Sequence, residues 1–176
     1  LQRMGDLAWA AGDIRTKGFL LGGTSGRTTL AGEGLQHQDG NSHILAYPYP
    51  TLKAYDPAFA YEMAVIIHDG LTRMYCHQED LIYYITVMNE TYLMPPMPKR
   101  KDVREGIVKG MYRFRPTSLK KSKAKAHMLG SGAILNESLK AQELLEKNYK
   151  IAADVWSVTS YKELYTDAID CERWNL

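Results

Sequence analysis

The stretch that decides the fold class is "AHMLGSGAILNESLKAQELLEKNYKIAADVWSVTS", residues 126–160. It opens with a short apolar run that ends in "GSG", the mark of a strand closed by a tight turn. "AILNESLKAQELLEKNY" follows with helical spacing, and Glu143 stands four residues before Lys147, a favourable order on a helix. "ADVWSVTS" returns to β-branched and aromatic residues. Strand, helix and strand in this order predict a parallel pair joined by a right-handed crossover, hence an α/β protein. "YKELYTDAIDCERW", residues 161–174, begins another helix.

The same alternation holds toward the N-terminus. Residues 2–15 place Met4, Leu7, Ala8 and Ala11 at helical spacing. "FLLGG" at 19–23 and "TLKAY" at 51–55 read as short strands, the first of them buried. "DPAFAYEMAVIIHDGLTRMY", residues 56–75, reads as a helix capped by Asp56, with Pro57 at its first position. Ala60, Met63, Ala64, Ile67, Leu71 and Met74 form one stripe, and Tyr61, Val65 and Ile66 widen it. Such a helix is expected to be buried on several sides or to pack at a subunit interface. "LIYYITVMNE" at 81–90 is a strand pattern. "TYLMPPMPKRKD" at 91–102, with three prolines and a basic cluster, is an exposed joint. The run Lys99, Arg100, Lys101 reads as a solvated face. "VREGIVKGMYRF" at 103–114 is a short helix running into a strand. The resulting division is 1–94, a joint over 95–123 with a short helix and a strand, and 124–176.

Composition narrows the function. Hydrophobic residues are 45% and charged residues 24% of the 176, as in an ordinary globular protein. A formal charge of +2 gives no ground for a nucleic-acid partner. No apolar run approaches the ~20 residues that span a membrane. Cys76 and Cys171 form no CxxC pair, so a reducing cytoplasm is the expected compartment. The chain starts at Leu1 in a helical pattern and stops at "CERWNL" inside another. It is therefore expected to be a fragment of a larger polypeptide.

Three motifs carry chemical possibilities. "MLGSGAIL" at 128–135 has a glycine pair between strand and helix, but Leu135 stands where a dinucleotide fingerprint needs its third glycine. It reads as a tight turn. "GGTSGRTT" at 22–29 lacks the lysine of a phosphate loop. "GEGLQHQDGNSH" at 32–43 brings His37, Asp39 and His43 together. A metal site would need a further strong ligand at suitable spacing. A packed turn with histidines bonded to loop backbone is the plain alternative. The catalytic reading fits better, because a glycine-rich loop lets backbone approach a ligand and histidine titrates near neutral pH. The loop follows the strand "FLLGG" and so lies on the carboxyl edge, where α/β sheets bind ligands.

Residues 14–43, "IRTKGFLLGGTSGRTTLAGEGLQHQDGNSH", with "YDPAFAYEMAVIIHDGL" at 55–71 and "CERWN" at 171–175, closely resemble the homodimeric-type pyruvate dehydrogenase. This is the family of thiamine diphosphate-dependent first components of bacterial pyruvate dehydrogenase complexes. The likeness runs over essentially the whole chain. More widely, "QDGNSH" resembles the "EDGPTH" loop of transketolase-like enzymes.

The resemblance implies the C-terminal part of a pyrimidine-binding-type doubly wound α/β domain over 1–94. The start of a transketolase C-terminal-type α/β domain would follow over 124–176. It implies oxidative decarboxylation of pyruvate and transfer of the acetyl group to the lipoyl domain of a dihydrolipoyl acetyltransferase, in a homodimer. Thiamine diphosphate and magnesium are the implied cofactors. His37 carries over from the histidine ending "GEGLQH", which lines the family's active site; His43 carries over from the histidine ending the "EDGPTH"-type loop. Asn41 stands where the family often has histidine, and no role is assigned to it. The glutamate that activates the aminopyrimidine and the magnesium-binding GDG…N motif are not in this sequence, so both are expected in other parts of the polypeptide. No residue of this chain is assigned to bind cofactor or metal. Two other readings stay open: a non-catalytic oligomerisation or regulatory module of the same fold, and a transketolase-like enzyme with another donor.

Overall fold

A computed structural model describes residues 4–23, 41–88 and 91–176. Helix α1 (Gly5–Asp13) precedes β1 (Gly18–Gly22). The short α2 (Ser42–Leu45) leads to β2 (Leu52–Tyr55). Helix α3 (Ala60–Leu71), extended by a π-helical turn over Thr72–Cys76, leads to β3 (Ile82–Thr86). These strands form one parallel sheet in the order β1-β3-β2. Strand β3 is central and buried at every position, which is why its sequence is a continuous apolar and aromatic run with no polar alternation.

The pleat of β3 sends Tyr83 and Ile85 to one face and Ile82 and Tyr84 to the other. The first pair packs with Tyr55, Val65, Ile66 and Met74. The second packs with Ala8, Ala46, Tyr49, Leu52 and Ala54. Helices α1 and α3 therefore cover opposite faces of the sheet. Helix α4 (Asp102–Lys109) adds Val103 and Ile107 to the α3 side. That second cover explains the broad apolar surface of α3. Ile66 and Val65, at 0% and 5% exposure, lie in this chain's own core and not at a subunit interface.

The remaining elements build a second sheet: β4 (Met111–Arg115), β5 (Lys125–Gly130), α5 (Ile134–Leu144) with a π turn over Leu145–Tyr149, β6 (Ala152–Val158) and α6 (Tyr161–Asn175). Its order is β4-β6-β5, with β5 parallel and β4 antiparallel to the central β6. The β5-α5-β6 unit is the parallel crossover expected from 126–160. The strand that the sequence placed in the 95–123 joint is β4, and it pairs along β6 from Met111 to Arg115. Glu143 pairs with Arg115 at 3.2 Å.

The two sheets meet at their carboxyl ends. The Asp56 amide donates to the Thr159 carbonyl at 2.7 Å, and the Gly132 amide donates to the Asp56 carbonyl at 3.2 Å. Ser160 Oγ donates to the Ala54 carbonyl at 2.5 Å. At the centre stands Glu62, 0% exposed in the first turn of α3. Its Oε1 accepts the hydroxyls of Tyr112 on β4 at 2.7 Å and Ser157 on β6 at 2.6 Å. Its Oε2 accepts the amides of Ala58 at 2.5 Å and Phe59 at 3.2 Å. Burial pushes this carboxyl group above the usual range, and the hydroxyl and amide donors pull it back.

Helix α3 begins after Phe59 and not at Asp56, because Glu62 reaches back over the preceding amides and Phe59 takes the N-cap position. Asp56 is thereby released to another use. On the far side of the junction Lys162 of α6, 5% exposed, donates to the carbonyls of Ala46 (2.7 Å), Tyr49 (2.5 Å) and Leu52.

Two stability measurements test this junction. Leaving a buried partner unsatisfied costs about 1–3 kcal/mol, so E62A should destabilise the protein by roughly 3–5 kcal/mol in denaturant titration. E62Q keeps the side-chain volume and one acceptor oxygen and should lose far less; equal losses would show that the retained amide satisfies none of these donors. The second test is pH dependence. Burial lowers the Lys162 ammonium from its usual 10.5 to about 8, with Glu163 opposing the fall and Lys53 adding to it. Between those values the unfolded chain binds more protons, so this group makes stability rise with pH across the window and withdraws that contribution as pH falls through 8. K162M should flatten that slope relative to the parent protein; an unchanged slope would place the titration elsewhere.

Candidate active site

The parallel strands of the first sheet end at Gly22, Tyr55 and Thr86, on the edge where such sheets collect ligands. Helix α2 crosses this edge and carries His43, which is half-buried. The four-residue helix is too short to hold itself by its own hydrogen bonds, so its placement depends on neighbours. His43 Nε2 lies 3.2 Å from Thr86 Oγ1. Thr86 Oγ1 in turn donates to Asp56 Oδ1 at 2.5 Å. Thr86 is 0% and Asp56 4% exposed. The ring of Tyr84 packs against the imidazole with centroids 5.5 Å apart.

This chain of contacts sets the imidazole's tautomer. The threonine hydroxyl has one proton, and the shorter contact assigns it to the Asp56 carboxylate. The threonine oxygen then accepts from His43, which places a proton on Nε2. A histidine oriented through a hydroxyl by a buried carboxyl group is held to one ring orientation. The arrangement equips His43 to donate a hydrogen bond or to move a proton.

Gly132 closes the other side of Asp56. Its φ is +53°, and a Cβ there would fall 3.1 and 3.2 Å from the two Asp56 carboxylate oxygens and 2.9 Å from Met88 Cε. Any larger residue would be strained and would press on the carboxylate. The Ala133 amide faces Met88 Sδ at 3.3 Å. The Gly132 and Ala133 amides are therefore spent on the first unit, in keeping with a structural turn and not a phosphate cradle. Beside Thr86 opens a cleft of about 300 Å³, walled by Pro57, Phe59, Met63, Met88 and Tyr92. Tyr92 Oη donates to the Ala58 carbonyl at 2.5 Å and fixes one wall.

His37 and Asp39 lie outside the described residues. Asn41 is exposed at the N-cap of α2. Among the described residues no group of three or more His, Cys, Asp or Glu could hold a metal ion. The cleft offers aromatic and thioether walls that suit a flat apolar ring. The described residues around it form no cation cluster for a diphosphate. Nor is any helix among them long and apolar enough to cross a membrane.

Thr86 and Asp56 were not singled out in sequence as site residues. Asp56 has the form of a helix cap, and Thr86 is one of several β-branched residues in a strand. The available signal was their position, each at the carboxyl end of a buried strand.

Comparison with known proteins gives the lineage. Residues 1–95 match the family model of the pyruvate dehydrogenase E1 component middle domain, and 110–173 match the transketolase-like C-terminal domain. The second match takes in β4. The pyruvate dehydrogenase E1 component of Escherichia coli strain K12 is 56% identical over 176 residues, covering 99% of this chain and 19% of that protein. That of Pseudomonas aeruginosa is 55% identical over 174 residues, again 99% of this chain and 19% of the relative. The chain thus spans about a fifth of the length of these relatives. Among solved structures, transketolase from Campylobacter jejuni superposes with a TM-score of 0.68 at 18% identity, over 94% of this chain and 24% of that one. Transketolase from Leishmania mexicana gives 0.57 at 13% identity, over 76% and 18%. These last two likenesses establish the fold. From the match over its first 95 residues and the end-to-end alignment with E1 components, the chain belongs to the pyruvate dehydrogenase E1 component family.

Proposed function

We propose that this chain forms one wall of the active site of a thiamine diphosphate-dependent pyruvate dehydrogenase. In this reading 1–94 is the closing part of the cofactor-facing domain, 95–123 the joint, and 124–176 the opening of the C-terminal domain. The observation that carries the proposal is His43, held at the carboxyl edge by Thr86 and Asp56, with Thr86 itself lining an apolar cleft. Thiamine diphosphate, when bound, supplies the electron sink for decarboxylation. This chain's part is to orient the reacting group and handle its proton. His43 gives or takes a proton at the imidazole, while Thr86 and Asp56 keep the ring from rotating. Phe59, Met63 and Met88 keep water from that side of the cleft. His37, on the family resemblance, joins His43 at the same site. The activating glutamate and the magnesium ligands come from the remainder of the polypeptide.

The substrate in this reading is pyruvate, the acceptor a lipoyl domain of the acetyltransferase, the assembly a homodimer and the compartment the cytoplasm. The likeness to transketolases favours no other donor, since it is a likeness of fold at low identity.

H43A and H37A in the full-length enzyme should each lower kcat by ~10²–10³ with little change in cofactor affinity, as for a donor that acts mainly in the transition state. T86V, which frees the ring without removing it, should cost roughly ten- to a hundredfold. Equal losses of turnover and cofactor binding would point to a collapsed loop, and unchanged rates would remove these residues from the site. A separate test uses the 176 residues alone. Calorimetry should find no tight, magnesium-dependent binding of thiamine diphosphate; tight binding would contradict the division of labour proposed here.

A further inference from the structure

Lys162 has no part in the chemistry above, yet it is the one lysine or arginine buried among the described residues. Its three N–H groups meet three carbonyls, those of Ala46, Tyr49 and Leu52. These mark the ends and the middle of the crossing from α2 to β2. Ala46 is the C-cap of α2, three residues after His43, and Leu52 opens β2, four residues before Asp56. The ammonium group thus closes the short chain path between the imidazole and the carboxylate that orients it.

The neighbouring residues of α6 act on the same path. Ser160 Oγ bonds the Ala54 carbonyl at 2.5 Å, and Glu163 pairs with Lys53 at 2.7 Å. Tyr165 stacks on Tyr47 with ring centroids 5.1 Å apart and planes 5° off parallel. The carbonyls at the end of a helix carry negative partial charge, so a cation at the end of α2 is favoured there. A helix of one turn has little else to fix its direction.

We propose that Lys162 is a positioning residue for His43: by holding 46–52 it sets the imidazole against Thr86 and makes the last helix of the second unit a working part of the site. This rests on the reading of His43 as a catalytic group. K162M should accelerate hydrogen exchange over 42–52 and lower kcat about tenfold in the full-length enzyme, with KM for pyruvate little changed. K162R, which keeps the charge and the donors, should recover part of the rate. The deciding comparison is a double-mutant cycle. If Lys162 acts through His43, adding K162M to H43A costs no further rate.

Should K162M fail to fold, K162R serves in the same cycle, and its smaller loss must likewise vanish in the H43A background. An impaired H43A enzyme that loses rate by the same factor again on adding either variant would overturn the positioning role alone. So would wild-type exchange and wild-type kcat in K162M. H43A at the wild-type rate would instead overturn the catalytic reading of His43 and the positioning role with it.

Discussion

The Glu62 carboxyl group is the constraint on which the rest of the structure depends. A carboxyl group with no exposure to water is costly to bury unless its lone pairs are filled, and here the donors come from three places. Two are the amides of Ala58 and Phe59, which precede α3; one is Tyr112 on β4, and one is Ser157 on β6. Without the second sheet the carboxyl group would keep only the two amides at the start of its own helix. The same group starts α3, spaces that helix from the second sheet, and frees Asp56 from capping duty. The Asp56 side chain can then turn to Thr86 and, through it, to His43.

This junction also decides which sheet can serve a ligand. Each unit has parallel strands, and each would ordinarily offer its carboxyl edge. In the second unit that edge, from Gly130 to Ala133 and from Val158 to Lys162, is occupied by contacts to Asp56, Met88, Ala54 and the 46–52 crossing. Its amides and hydroxyls are used as supports. The first unit keeps part of its edge open beside Thr86, and there the cleft lies. Two similar architectures have thus been put to different uses by one mode of packing.

Much of this was legible in the sequence. The strand–helix alternation, the parallel crossover over 126–160 and the position of His43 at a carboxyl edge all follow from local pattern. The lineage was legible because long strings such as "GEGLQHQDGNSH" identify a family more sharply than any single residue. What was not legible depends on contacts between residues far apart in the chain. Asp56 looks like a cap because Asp-Pro before a helical stripe is a cap pattern, and only the reach of Glu62 shows otherwise. The broad apolar surface of 56–75 left burial and a subunit interface both open, because nothing in the helix itself reveals that α4 packs into the same core as Ile66 and Val65. Nothing in "YKELY" marks Lys162 as buried, since its three acceptors lie 110 to 116 residues away.

The central claim is that the two sheets form one cooperative block, with the candidate site fixed across their seam. Native-state hydrogen exchange on the full-length protein tests it directly. Peptides covering Ile82–Thr86 and Ala152–Val158, the central strands of the two sheets, should lose protection at the same denaturant concentration and with the same opening free energy. If β6 opens well before β3 while the peptide carrying His43 stays protected, the second unit does not support the site, and the account is wrong.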